Sequence, residues 1–173
     1  MIALCGCLLS SGCLGTGGPG DTTIDIVYDP CEPVVLKVPE SPPGAMAAVA
    51  DAVAMWNQIT PVYATTEVVP GAPILPITFE DAAGAFHGIY LDEDGEIVIN
   101  RKITDPGALA VTIAHELGHA FGLPHMAADK RPSVMNPGNF AIHPNAGDAA
   151  DLAALWGVCP EAPASVRAQR MQD

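Results

Sequence analysis

The sequence has few basic residues. Only 7 of its 173 residues are lysine or arginine, against 20 aspartates and glutamates, so the formal net charge is −13 at pH 7. A surface this acidic repels the phosphates of nucleic acids, and we therefore expect no nucleic-acid partner. No apolar run approaches the roughly 18 residues that indicate a membrane-spanning helix. The length is that of one globular domain with a buried core.

The first residues, 1–20, differ from the rest of the chain. Residues 1–9 are mainly apolar, and a run of small residues follows and ends in Cys13. This pattern is typical of an export signal, and the run before Cys13 resembles a bacterial lipoprotein signal in which that cysteine carries the lipid. No basic residue precedes the apolar stretch, so part of the signal could lie upstream, and Ser10 stands where leucine is usual. Cys7 is a second candidate, and a structureless apolar N-terminus is the alternative.

Cysteine is scarce outside this signal. Cys5, Cys7 and Cys13 lie within it, which leaves Cys31 near the start of the domain and Cys159 near its end. A pair of cysteines in an oxidising compartment favours a disulfide, here one that ties the two ends of the domain together. Two free thiols are the alternative. We expect an exported protein, either a cell-envelope lipoprotein tethered to the membrane through its lipid or an extracellular protein.

The apolar pattern predicts one domain over 21–159, between the signal with its Gly-rich linker and a polar tail over 160–173. Its elements follow the order strand, helix, four strands, helix, irregular loop, helix, which predicts an α+β fold with a mixed sheet backed by helices. The predicted strands are 34–38, 62–69, 74–79, 87–91 and 96–100, and the predicted helices are 44–59, 106–121 and 149–156. Asp105 is the expected N-cap of the second helix, with Pro106 at its first position.

The chemistry of the sequence lies in a segment that begins at His115 and ends at His125. At ~100° per residue, His115 and His119 lie ~40° apart on one face of a helix, so their imidazoles can converge on one ion. Gly122 is expected to end the helix in the left-handed conformation, after which the chain reverses and His125 can supply a third ligand. Three histidines leave a fourth position for water, which is typical of a catalytic zinc site. Glu116, beside the ion, can accept the proton of that water as it attacks a carbonyl.

This segment matches the signature His-Glu-x-x-His-x-x-Gly-x-x-His, and the sequence therefore resembles the metzincin zinc peptidases. The five fixed positions make a chance match negligible. Metzincins also carry a methionine turn beneath the zinc, and Met135 is placed to provide that apolar floor, an ordinary loop methionine being the alternative. The resemblance is closest to the matrixins in the order of helices and strands around the zinc helix. Pro137 stands where astacin-like and serralysin-like members have a tyrosine ligand, which argues against those branches.

The resemblance implies a zincin-like fold over about 33–158, with a five-stranded, mixed, twisted sheet and three helices. It implies a monomeric zinc-dependent endopeptidase that hydrolyses internal peptide bonds of extended proteins or peptides, with zinc-bound water activated by Glu116. The peptide would lie antiparallel to an edge strand at 85–91, and the loop 134–140 would wall the pocket beyond the cleavage point. Two other functions stay open, namely a zinc-binding module without turnover and the hydrolysis of a non-protein amide such as a cell-wall peptide.

The sequence departs from the matrixins in the region before the zinc helix. Matrixins usually hold a second, structural zinc there, but His87 is the sole histidine in this region. The acidic turn 92–95 could hold calcium, although a hairpin turn needs no ion. No latency propeptide is recognisable, and a thiolate of Cys31 on the zinc is an alternative to the disulfide. We expect His87 and His143 to be surface residues rather than ligands.

Overall fold

A computed structural model describes residues 24–160 of the chain. The signal and linker, the lipidation expected at Cys13, and the tail beyond residue 160 lie outside the described residues. The described elements are β1 (Val34–Lys37), α1 (Ala45–Asn57), β2 (Ala64–Thr65), β3 (Ile74–Glu80), β4 (Gly88–Leu91), β5 (Glu96–Asn100), α2 (Pro106–Ala120) and α3 (Ala146–Trp156). None of the described helices combines the length and apolar character that a membrane span requires.

The five strands form one sheet in the order β2-β1-β3-β5-β4. Neighbouring strands are parallel except at β4, which runs antiparallel to β5 across the predicted hairpin. The predicted α+β fold, with a five-stranded mixed sheet and three helices, is confirmed. Because β4 is at the end of the order, one side of this strand has no neighbour within the sheet.

Two elements differ in length from the sequence prediction. The strand predicted over 62–69 is reduced to β2, because the N–H of Glu67 donates to Thr65 Oγ1 at 3.1 Å instead of continuing the ladder. Helix α3 begins three residues earlier than predicted, because Asn145 caps it. The Asn145 side chain accepts the N–H of Gly147 at 2.9 Å, and the Asp148 carboxylate accepts the N–H of Asn145 at 3.0 Å.

The core brings helix α2 into the centre of the domain. Asp105 caps the helix by accepting the N–H of Ala108 at 2.8 Å, and Pro106 occupies its first position, as the sequence predicts. Trp56 of α1 is fully buried and donates from Nε1 to the carbonyl of Ala114 in α2 at 3.0 Å. Apolar side chains at helical spacing along α2 are all buried, namely Leu109, Ile113, Leu117 and Ala120. This packing fixes the orientation of α2, and with it the direction of the face that carries His115 and His119.

A disulfide joins Cys31 to Cys159, two residues separated by 128 positions in the sequence. It links the segment before β1 to the residues after α3, and so ties together the two ends of the described domain. In this structure the sulfur of Cys31 is bonded to Cys159 and takes no part in the histidine group described below.

Candidate metal centre

Three histidines meet at one end of helix α2. The ligand atoms that His115, His119 and His125 offer all lie within 4.8 Å of one another. Their ring centroids are 4.9 Å apart for His115 and His119, 5.2 Å for His115 and His125, and 4.6 Å for His119 and His125. We call these three residues the histidine group. Within residues 24–160 it is the one group of three or more such side chains placed to share a metal ion.

The end of α2 explains how His125 reaches the other two. Gly122 has a φ of +91°, the left-handed conformation that the sequence predicts for it. Its N–H donates to the carbonyl of His119 at 2.8 Å, and the N–H of Leu123 donates to the carbonyl of Gly118 at 2.9 Å. These two bonds are those of a Schellman motif, which turns the chain back along the end of the helix.

Backbone carbonyls orient two of the three rings. The Nδ1 of His115 lies 2.7 Å from the carbonyl oxygen of Val134, and the Nδ1 of His119 lies 2.8 Å from that of Leu123. Because a carbonyl oxygen can only accept, each Nδ1 carries the proton, and each Nε2 keeps its lone pair. This is how ligating histidines are commonly held in proteins. The donor set therefore fits a divalent metal such as zinc.

The buried environment keeps these imidazoles neutral. Burial lowers the pKa of His115 to about 4, although the carbonyl of Val134 opposes this effect. Burial, together with the two neighbouring imidazoles, lowers the pKa of His119 to about 3. Burial also lowers the pKa of His125. Near pH 7 all three rings are thus in the neutral form, in which one ring nitrogen keeps the lone pair that binds a metal.

Glu116 lies in the same cavity as the histidines and is buried. Burial raises its pKa to about 8, opposed by a hydrogen bond from the backbone of Tyr90. A nearby cation would favour the charged carboxylate instead. Gly88 in β4 makes this arrangement possible, because a Cβ there would lie 3.0 Å from Glu116 Oε1. Strand β4 and the glutamate are therefore packed directly against each other.

The cavity around these residues has a volume of about 520 Å³. The histidine group and Glu116 line it together with residues 85–90 around strand β4. Pro137, Gly138 and Asn139, which belong to the loop expected to wall the pocket, also line it. The cavity is thus shared by the edge strand, this loop and the histidine group.

Met135 is buried and packs against Gly118 of helix α2. Gly118 directly precedes His119 of the histidine group. A Cβ added at Gly118 would collide with Met135 Sδ and would lie 3.3 Å from the Trp56 ring. Gly118 is therefore required for close packing, not for a left-handed conformation. The N–H of Met126 also donates to the carbonyl of Met135 at 2.9 Å, which connects this turn to the residue after His125.

A buried carboxylate holds the same loop in place. Asp148, which is fully buried, accepts the N–H of Val134 at 3.1 Å and the hydroxyl of Ser133. It also accepts the N–H of Asn145 at 3.0 Å and a guanidinium N–H of Arg131 at 3.0 Å. The carbonyl that orients the first histidine therefore lies in a loop tied to helix α3. Sequence reasoning did not assign this role to Asp148, although its place three residues after a capping asparagine was visible.

Replacement of Gly118 by alanine is expected to lower the free energy of unfolding by about 1–3 kcal/mol, because the new methyl group overlaps Met135. Urea unfolding of the zinc-free protein measures the loss. The matched control is Gly107→Ala in the first turn of the same helix, where a Cβ meets only Asp105 Oδ1, at 3.4 Å. A helical Gly-to-Ala change without overlap is neutral or mildly stabilising. Equal effects at the two positions would contradict this account of Gly118.

The remaining candidates lie outside the histidine group. His143 is exposed, whereas His87 is half-buried and lines the cavity with its ring against Phe140. In the acidic turn, Asp92 Oδ2 accepts the N–H of Asp25 at 3.2 Å, and the N–H of Gly95 closes the turn on the Leu91 carbonyl at 2.8 Å. No cluster of carboxylates that would hold calcium is found there among the described residues.

Comparison of the chain with protein-family models and with curated proteins gave no match. What is shown is therefore a small α+β domain with a five-stranded mixed sheet, three helices and three histidines that could bind a metal ion. This arrangement is compatible with a metzincin-like domain.

Proposed function

We propose that this protein is a zinc-dependent endopeptidase of the metzincin class, closest to the matrixins. The observation that carries the proposal is the convergence of three neutral imidazoles beside a buried glutamate, in a cavity that follows an edge strand. A structural zinc site would have four protein ligands, whereas the histidine group offers three. The proposed fourth position is available to water or substrate.

Zinc is the metal that the donor set favours, because three neutral histidines are the ligands of many catalytic zinc sites. Bound zinc would supply polarisation of the scissile carbonyl and would lower the pKa of the attacking water. His115, His119 and His125 would hold the ion through Nε2 of at least the first two, whose Nδ1 atoms are bonded to carbonyls.

Glu116 is the proposed general base. Its carboxylate lies in the cavity beside the ligands without belonging to them, which is the position from which it can take a proton from water. In the zinc-free protein, burial raises its pKa to about 8, and bound zinc would favour the charged carboxylate that can accept a proton. A base whose pKa lies near the working pH can both accept the proton and later release it to the leaving amine.

Strand β4 is the proposed binding surface for the substrate. It is an edge strand along the cavity, so its unpaired backbone groups can form a ladder with an extended peptide. Met135 is the proposed floor beneath the zinc ligands, and Pro137, which lines the cavity, leaves no tyrosine ligand at that position. These features support the matrixin-like assignment within the metzincins.

Export is part of the proposal. A disulfide that ties the ends of the domain is characteristic of proteins in oxidising compartments. Lipidation at Cys13, attachment to a membrane, and a monomeric state remain predictions from the sequence.

Zinc-dependent hydrolysis of casein and of a peptide library by the full chain would test the proposal. We expect cleavage at internal bonds that a chelator abolishes and that added Zn²⁺ restores. A His119→Ala variant should lose both zinc binding and cleavage. Zinc binding by the wild-type protein without any cleavage would favour a binding module and would overturn the proposal. Cleavage confined to cell-wall peptides would favour the non-protein amide hydrolase.

A further inference from the structure

Only a short part of the β4 edge faces the cavity. The N–H of Asn100 in β5 donates to the carbonyl of His87 at 2.8 Å, which makes these two residues a hydrogen-bonded pair. In an antiparallel ladder such pairs alternate, so the backbone groups of His87, Ile89 and Leu91 face β5. The backbone groups of the alternate residues Gly88, Tyr90 and Asp92 therefore face away from the sheet.

The segment before the domain core occupies one end of this outer edge. Residues 24–28, which we call the entry segment, reach this end through Ile26, whose N–H donates to the carbonyl of Asp92 at 3.1 Å. The Tyr90 hydroxyl donates to the carbonyl of Ile26 at 2.8 Å, which holds the segment in place. Ile24 lines the same cavity as the histidine group. The carbonyl of Asp92 is therefore bonded to the entry segment and cannot accept the same hydrogen bond from an extended ligand.

At the other end of the edge, a ring contact joins the residue before Gly88 to the loop that contains residues 137–139. His87, which precedes Gly88 and lines the cavity, has its ring centroid 4.0 Å from that of Phe140, in an edge-on arrangement. Phe140 follows Asn139, which also lines the cavity. The two rings thus connect the strand to this loop one residue beyond Gly88.

Between these two boundaries, few backbone groups of β4 are available to bond a ligand. Gly88 offers its N–H and carbonyl and Tyr90 offers its carbonyl, whereas the backbone N–H of Tyr90 acts on Glu116, whose pKa it lowers. The Cα atoms of these two residues are separated by two strand steps, about 7 Å. A ligand strand can therefore form about three main-chain hydrogen bonds with β4.

We propose that the site recognises a segment of only about three or four substrate residues around the scissile bond, bounded by the entry segment at one end and by the His87–Phe140 contact at the other. The inference rests on the proposed peptidase function and narrows its substrate class. Suitable substrates are short peptides, or exposed bends of a longer chain that leave the cavity on both sides. Long extended segments gain nothing from their additional residues.

Binding to the zinc-loaded Glu116→Gln protein, with the full chain, tests this inference separately from turnover. The probes are two series of peptides that share one cleavable core and are lengthened by one residue at a time, one series at the N-terminus and the other at the C-terminus. We expect Kd to stop improving after about two residues on each side of the scissile bond. For the wild-type protein, kcat/KM should reach a plateau at the same lengths.

Variants at the two boundaries assign each limit to its cause. Phe140→Ala should remove the plateau in one series, with a gain of about tenfold for each longer peptide that forms a new hydrogen-bonded contact. Phe140→Leu, which keeps an apolar side chain of similar reach, is the matched control and should keep most of the limit. Ile26→Pro removes the N–H that donates to the Asp92 carbonyl and should remove the plateau in the other peptide series. Ile26→Ala keeps that N–H and is its control.

The outcomes separate the two proposals. If no peptide is cleaved by the zinc-loaded wild-type protein, the proposed function fails, whatever the length dependence of binding. If peptides are cleaved but Kd and kcat/KM keep improving with length in either series, the bounded site is wrong. It is equally wrong if Phe140→Ala and Ile26→Pro, both folded by circular dichroism, leave both plateaus unchanged or act on the same series.

Discussion

Replacement of Glu116 by glutamine is expected to lower kcat/KM for peptide hydrolysis by about 10²- to 10⁴-fold, the usual contribution of a general base. The same change is expected to stabilise the zinc-free protein at neutral pH. Both effects have one cause, since the carboxylate that we propose as the general base is buried where its charge is poorly solvated. Glutamine keeps the shape of the side chain but cannot accept the proton.

The stability effect has a definite pH dependence. The pKa of Glu116 in the folded, zinc-free protein is about 8, above its ordinary value of 4.5, so the folded state binds a proton that the unfolded state releases between these pH values. Its contribution to stability is complete below pH 4.5 and is lost as the pH rises toward 8. At pH 7 the resulting penalty is on the order of 3 kcal/mol. The glutamine variant lacks this penalty.

Urea unfolding of the zinc-free wild-type and Glu116→Gln proteins at a series of pH values measures the difference. The lowered pKa values of His115 and His119 make both proteins less stable as the pH falls below 6.5, so that effect cancels in the comparison. Glu93→Gln on the exposed acidic turn is the matched control and should leave the pH profile unchanged. Parallel profiles for wild-type and Glu116→Gln would show that the buried carboxylate carries no penalty.

Replacement of Asp148 by alanine is expected to lower the free energy of unfolding by about 4 kcal/mol, because it leaves the buried groups that it bonds without a partner. The carboxylate is fully buried and accepts bonds from two residues of the loop that contains Met135. That loop also supplies the carbonyl of Val134 that orients His115. We therefore expect the affinity for zinc to fall by about tenfold or more, the usual effect of losing a partner behind a ligand.

Urea unfolding and a competitive zinc titration measure the two effects of Asp148→Ala. Asp151→Ala is the matched control, because Asp151 is bonded to the same Arg131 but has a side chain that is 47% exposed. Exposed ion pairs contribute little to stability, so Asp151→Ala should lower the free energy of unfolding by less than about 1 kcal/mol and leave the affinity for zinc unchanged. Asp148→Asn keeps the shape of the side chain, so its losses of unfolding free energy and of zinc affinity should lie between those of Asp151→Ala and Asp148→Ala. Similar losses for Asp148→Ala and Asp151→Ala would refute the anchoring role of Asp148.

The sequence by itself determined the features that depend on neighbours within a few residues. His115 and His119 are one helical turn apart, and Gly122 has the positive φ that ends the helix. The hairpin around residues 92–95 and the cap at Asp105 were equally visible. These features follow from helical periodicity and from the conformational preferences of single residues, which act locally along the chain.

Only the tertiary structure decided how distant segments meet at the site. The Val134 carbonyl at His115, Met135 against Gly118, and the entry segment on the β4 edge all join residues that no local pattern relates. The role of Asp148 was missed for the same reason. The short β2 strand was missed for a local one, because the N–H of Glu67 donates to Thr65 Oγ1 instead of continuing the ladder. Burial and packing fix such contacts, because a buried polar group must find a partner wherever the fold places one. The histidine group was therefore readable in the sequence, whereas the orientation of its rings and the limits of the cavity were not.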